Sequence, residues 1–202
     1  MEILSIVFVL FPAVILHECA HGWTAYHLGD PTAKLSGRLT LNPIKHIDPI
    51  GTVMVPLLLV ISHSNFFFGW AKPVPVNFLN LRYPRRDMIL VAAAGPLTNI
   101  LLAVFFSFLL RMNLSSSVLS DLCGSAVFIN LLLAVFNLIP IPPLDGSRLV
   151  MGVLPQRLAT LYSRMENYGI FIVLILMYLG VLRQIILPLV VTFAYYLGVS
   201  LQ

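Results

Sequence analysis

The sequence predicts an all-α polytopic membrane protein, with about five transmembrane helices, one re-entrant segment and a short β-hairpin or edge strand. Three observations carry that fold class. Of 202 residues, 59% are hydrophobic and only 10% are charged, far below the roughly 25% typical of soluble chains. Mean hydropathy is +0.95, which leaves too few polar side chains to cover a water-facing surface. The apolar residues fall in long runs separated by short polar interludes, as spans and their loops do. Soluble enzymes, nucleic-acid-binding modules, disulfide-stapled secreted domains and disordered regulators are thereby excluded.

The first apolar run covers residues 3–28 and exceeds the roughly 20 residues needed to cross a hydrocarbon core. It starts without a basic region and carries His17, Glu18 and His21 where a cleavage site would need small residues, so it reads as a retained span and not a signal peptide. The turn Gly29-Asp30-Pro31 ends it. Residues 32–48 are polar, with Lys34, Arg38, Lys45 and His46, and the alternation of Leu35, Leu39 and Leu41 suits a short hairpin. Residues 49–62 are apolar but too short to span, with Gly51 and Pro56 inside, and fit a re-entrant or interfacial piece. The stretch from Phe66-Phe67-Phe68 leads to Lys72-Pro73-Val74-Pro75-Val76, where two closely spaced prolines forbid helix and favour an extended sheet edge.

Arg82, Arg85 and Arg86 precede a second span over residues 88–110, and Arg111 with the turn Ser115-Ser116-Ser117 follows it. A third span, 118–139, breaks up in Pro140-Ile141-Pro142-Pro143-Leu144-Asp145-Gly146. Beyond Arg148, Arg157 and Arg164, the apolar runs 169–182 and 185–201, hinged at Arg183-Gln184, read as a helical hairpin. The chain forms one membrane-embedded domain over 1–202, with a core of about 1–148 and the C-terminal hairpin over about 166–202. The formal charge of +4 is spread singly between apolar runs, so it marks topology and not an acidic partner. Cys19 and Cys123 lie within apolar runs and behave as small hydrophobes, with no structural disulfide expected.

The sharpest chemical signal is His17-Glu18-Cys19-Ala20-His21. Residues four apart on a helix lie about 40° apart around its axis, so both imidazoles leave one face and can hold a single Zn²⁺. Glu18 is adjacent, suited to take a proton from the attacking water, while Cys19 points away. An isolated motif of this kind on a soluble surface would mean little. Within an apolar span, three ionisable groups need a bundle interior, water or a metal to receive them.

A catalytic zinc takes three protein ligands. Glu2, Asp30, Asp48, Asp87, Asp121 and Glu166 lie near helix ends or in loops, the usual place of a solvated charge. Asp145 differs because it follows a span whose last turn is dismantled by prolines, and Gly146 permits unusual backbone beside it. Irregular backbone at membrane depth is tolerated where it is buried or lines a wet cavity. The alternative is a helix-ending loop with a surface aspartate.

These residues resemble the site-2 protease family of intramembrane metalloproteases. The likeness rests on His17-Glu18-Cys19-Ala20-His21, Gly37-Arg38-Leu39-Thr40-Leu41-Asn42-Pro43 with His46-Ile47-Asp48, Gly69-Trp70-Ala71-Lys72-Pro73-Val74-Pro75, Ala94-Gly95-Pro96-Leu97-Thr98-Asn99, and Asn137-Leu138-Ile139-Pro140 leading to Leu144-Asp145-Gly146. It covers about residues 16–148, and the pairing of the first motif with Leu-Asp-Gly on a later span is its specific feature. The resemblance implies one Zn²⁺ per chain, with His17, His21 and Asp145 as ligands and Glu18 as general base. It implies cleavage of a membrane-anchored protein in or near the bilayer of a prokaryotic cell, as in release of anti-sigma or transcription factors, with the lipid bilayer and no nucleic acid as further partners. Larger members carry PDZ or CBS stretches that are not found here.

Asn137, near the end of the third span, suits an amide donor for an oxyanion, which the resemblance also singles out; equally, it suits hydrogen bonding to carbonyls freed by Pro140. His27, His46 and His63 are expected at the surface or interface. The extended stretch Lys72, Pro73, Val74, Pro75, Val76 is expected to hold an unwound substrate by strand addition. A parity argument places the N-terminus outside and the metal site toward the cytoplasm, because a full crossing by residues 49–62 would separate His17 from Asp145 and split the two basic groups. A metal transporter or sensor would use the same ligands but needs no base at Glu18, and an inactive scaffold would keep them without turnover.

Overall fold

A computed structural model of the chain describes residues 3–62, 69–112 and 116–199, with the side chains of residues 3–7 left undescribed. It is helical throughout: α1 (Ile3–His27), α2 (Thr32–Leu35), α3 (Val55–Ile61), α4 (Pro84–Arg111), α5 (Ser117–Asn137), α6 (Asp145–Val153), α7 (Gln156–Ser163), α8 (Glu166–Tyr178) and α9 (Val181–Tyr196). Short 3-10 turns lie at Pro43–His46 and Phe78–Asn80, and π-helical Pro49–Met54 runs into α3. Expectations that fell on Glu2, His63, Phe66-Phe67-Phe68 and Ser115 lie outside the described residues.

Helix α4 is the spine. It packs against α1, α5 and α6, and α1 and α5 also touch each other. Its start is set by Pro84 at the first helical position and by Asp87, whose Oδ2 accepts the Tyr83 N–H at 2.9 Å. Leu101, Phe105 and Phe108, at a helical repeat along α4, are 61%, 53% and 60% exposed, a stripe that water would not stabilise and lipid would. Helices α4 and α5 are each long and apolar enough to cross a membrane, and α8 with α9 makes a third span if that bent pair counts as one.

Several expectations are corrected. Among the described residues two helices, or three spans if the bent α8–α9 pair counts as one, meet the length and apolarity of a crossing, so the expected count of about five is not confirmed; α8 and α9 have 13 and 16 residues and meet at 77°, each too short alone. Their break lies at Gly180, with φ +73°, and not at Arg183-Gln184: the chain turns where a residue without Cβ takes the left-handed conformation. The pair forms an elbow in place of a hairpin.

No β-hairpin or strand forms among the described residues. In the 32–48 interlude, Asp30 accepts hydrogen bonds from the backbone N–H and hydroxyl of Thr32, which starts α2, while Asn42 caps the turn that Pro43 opens. Local capping thus outweighs the leucine alternation. Residues 69–77 carry neither helix nor strand, as the prolines require, but their backbone N–H groups bond to the Gly51 and His46 carbonyls and to the Glu18 and Asp30 carboxylates, and not to a sheet.

Three groups expected at the surface are buried. Asp30, His46 and Asp87 are 0%, 1% and 2% exposed, because each serves chain segments that have no helical partner: His46 Nε2 meets the Thr40 carbonyl at 2.8 Å, and Asp30 and Asp87 accept backbone N–H groups. His27 is exposed, as expected. Cys19 and Cys123 are buried free thiols. Gly146 lies inside α6, where a Cβ would meet the Leu138 carbonyl, so close approach and not unusual φ is what it supplies.

Candidate metal centre

His17 and His21 leave one face of α1, and the chain returns through α4 and α5 to place Asp145, the first residue of α6, against them. His17 Nε2 lies 3.0 Å from Asp145 Oδ2, His21 Nε2 lies 3.2 Å from the same oxygen, and the two Nε2 atoms are 3.0 Å apart. Both imidazoles are buried, at 6% and 7% exposure.

The opposite ring nitrogens decide the tautomers. His21 Nδ1 faces the Val91 carbonyl at 2.7 Å, which can only accept, so Nδ1 carries the hydrogen. His17 Nδ1 lies 2.5 Å from Asn99 Oδ1, while Asn99 Nδ2 donates to Asn130 Oδ1 at 2.9 Å and to the Ala13 carbonyl at 3.3 Å. Oδ1 of Asn99 is therefore the acceptor for an Nδ1–H of His17. In neutral rings both Nε2 atoms then present lone pairs to each other and to a carboxylate oxygen. Such a trio repels itself unless a proton or a metal cation sits among its members. Tetrahedral ligand atoms about 2.0–2.1 Å from zinc are separated by about 3.3 Å, close to the 3.0–3.2 Å found here. The donor set fits zinc.

Gly95 of α4 makes the approach possible, since a Cβ there would collide with the rings of both His17 and His21. Glu18 lies beside the cluster on the wall of a cavity of about 260 Å³ that also takes in Pro73, Val74, Val76, Phe78, Asn137, Pro143 and Arg148. Its Oε2 accepts the Val74 N–H at 2.8 Å.

Of the residues singled out from sequence, His17, Glu18, His21, Asn137 and Asp145 come together around this cavity, as do Pro73, Val74 and Val76. Asn137 donates through Nδ2 to the Leu133 carbonyl one turn back at 2.9 Å, and not to a carbonyl freed by Pro140. Lys72 and Pro75 are not on the cavity wall. The Lys72 N–H donates to the His46 carbonyl at 2.9 Å, and Arg38 Nη2 donates to the carbonyls of Lys72 at 2.8 Å and Pro73 at 3.3 Å.

Residue-by-residue reading assigned no role to Asn99, Asn130, Gly95 and Arg148. An asparagine within an apolar span was the available signal for the first two, because an amide in lipid is costly without a partner. Outside the spans, Asp30 gathers the Asn77 N–H at 2.7 Å and Asn80 Nδ2 at 2.9 Å in addition to both groups of Thr32. Burial alone would raise its pKa, but these four donors outweigh burial and hold its carboxyl below the ordinary value.

The family model described as Peptidase family M50 matches residues 113–180. The chain is 40% identical over 180 residues to "Putative zinc metalloprotease YwhC" of Bacillus subtilis, covering 85% of this chain and 78% of that protein. It is 30% identical over 190 residues to "Putative zinc metalloprotease Rip2" of Mycolicibacterium smegmatis, covering 93% and 72%. No solved structure matches.

Proposed function

Because the chain belongs to peptidase family M50, we propose that it hydrolyses a peptide bond in or near the transmembrane segment of a membrane-anchored protein. It is a metallopeptidase of the site-2 protease type, and its metal is zinc. The observation that carries the reading is the convergence of three lone-pair atoms, from His17, His21 and Asp145, on the wall of a cavity that also holds Glu18.

In this reading His17, His21 and Asp145 hold the ion. Bound there, zinc supplies Lewis acidity toward a carbonyl and a water molecule. Glu18 takes the proton of the attacking water and passes it to the leaving amine. The second N–H of the Asn137 amide donates to the carbonyl oxygen as negative charge builds on it. The stretch Lys72, Pro73, Val74, Pro75, Val76 lies along the unwound substrate. Its support is the position of Pro73, Val74 and Val76 on the cavity wall.

The site faces the cytoplasm of a prokaryotic cell membrane, and the substrate is a single-span regulator of the anti-sigma or transcription-factor kind. What favours this orientation is that residues 30–46 and 69–77 are hydrogen-bonded to each other, through Lys72 to His46, Arg38 to Lys72 and Asn77 to Asp30. The piece between them begins and ends at one place, as a re-entrant segment does, and both basic groups then share the positive face.

Purified protein in detergent, incubated with single-span test substrates, tests the function. Cleavage that stops with a zinc chelator and returns with added zinc is expected. No cleavage of any such substrate by zinc-loaded protein would sink the reading.

A further inference from the structure

Arg148 stands three residues beyond Asp145 on α6, on the same helical face, and lines the cavity with Glu18 and Asn137. Two contacts hold it. Its Nη2 donates to Glu166 Oε1 at the start of α8, and its guanidinium carbon lies 5.2 Å from the centre of the Phe78 ring, within cation–π range. The pair is not sealed, since the side chains of Arg148 and Glu166 are 24% and 40% exposed.

An unwound substrate segment brings backbone carbonyls that have lost their helical partners into the cavity, and each needs a donor. The wall offers few. The Val74 N–H is committed to Glu18, and Pro73 and Pro143 have no N–H at all. Arg148 carries five N–H donors in a rigid fork and no acceptor, and among the described residues its hydrogen bond is to Glu166 alone. With both histidines neutral, it is also the one permanent cation among the residues of that wall.

We propose that Arg148 is a substrate-contacting residue, whose guanidinium binds a backbone carbonyl of the unwound substrate on the side of the cavity walled by Val76 and Phe78. The Phe78 ring holds the guanidinium before the substrate arrives. This rests on the peptidase reading above.

The test measures binding of a fluorescent single-span peptide to the zinc-loaded E18Q protein, which binds without cleaving, alongside cleavage by the otherwise unaltered chain. R148Q in the E18Q background is expected to weaken binding about 10- to 100-fold, the range for a lost charge-assisted hydrogen bond, with zinc content and melting temperature unchanged. R148K keeps the cation but loses the fork, so it is expected to bind a few-fold more weakly than Arg148, roughly midway to Gln. E166Q, which leaves the guanidinium in place, is expected within about threefold. Unchanged binding by R148Q or R148K overturns the proposal. So does an equal loss in E166Q, which would make the ion pair merely a clamp between α6 and α8. If R148Q does not fold, R148K decides alone by the same criterion. Cleavage by the Glu18 protein with unchanged binding in the Arg148 variants discards this proposal only, whereas no cleavage by the Glu18 protein discards the peptidase reading with it.

Discussion

The Val74 N–H donates to Glu18 Oε2 at 2.8 Å, joining the candidate base on α1 to a loop 56 residues further along the chain. One carboxylate oxygen is thereby held, and if Glu18 is the general base the other takes the proton. V74P removes this donor without removing the loop. It is expected to lower kcat about 10- to 100-fold, the cost of one hydrogen bond to a charged group, while zinc content stays at one per chain. Steady-state kinetics with metal analysis checks it, and a wild-type kcat would show the bond to be incidental.

Glu18 itself is expected to be indispensable. E18Q keeps the helix and the three ligand atoms but cannot accept a proton, so cleavage should fall by about 10² or more. Activity within tenfold of the parent would remove Glu18 as general base.

Asp145 is expected to behave differently. D145A leaves two imidazoles and no third ligand, so zinc occupancy and activity should fall together. Full zinc retention by the purified variant would mean that another residue completes the set.

Asn99 reads out the hydrogen-bonded support behind the candidate metal ligands. N99A releases His17 Nδ1 and takes the donor from Asn130 Oδ1, and it should weaken zinc affinity about 10- to 100-fold. Competition against a chelator measures this, and an unchanged affinity would show that packing against Gly95 orients the ring unaided.

The Asp30 carboxyl is expected to make stability depend on acid. Its folded pKa lies below its unfolded one, so its contribution is fully present above the unfolded value of about 4 and is lost as pH falls through the lower folded value. D30N should lower stability at neutral pH by about 1–3 kcal/mol and flatten the acid limb of the profile. Melting temperatures in detergent from about pH 3 to 7 would show whether the two curves converge at low pH.

Local pattern was enough for much of this protein. The lipid-facing composition, the spacing of His17 and His21 and the placement of Glu18 beside them all follow from contiguous residues, because helical geometry relates neighbours three and four apart. The bend at Gly180 is set by that glycine's own left-handed conformation, whereas the start of α2 at Thr32 and the burial of Asp87 and His46 were not legible, because each depends on which unpaired backbone group happens to lie nearby. The same is true of the Asn130, Asn99 and His17 chain, which joins three helices. Only the tertiary structure brings Asp145 within 3.2 Å of both imidazoles and Val74 onto Glu18. Sequence names the groups able to bind a metal or move a proton, but the distance between groups over a hundred residues apart is set by how α1, α4, α5 and α6 pack.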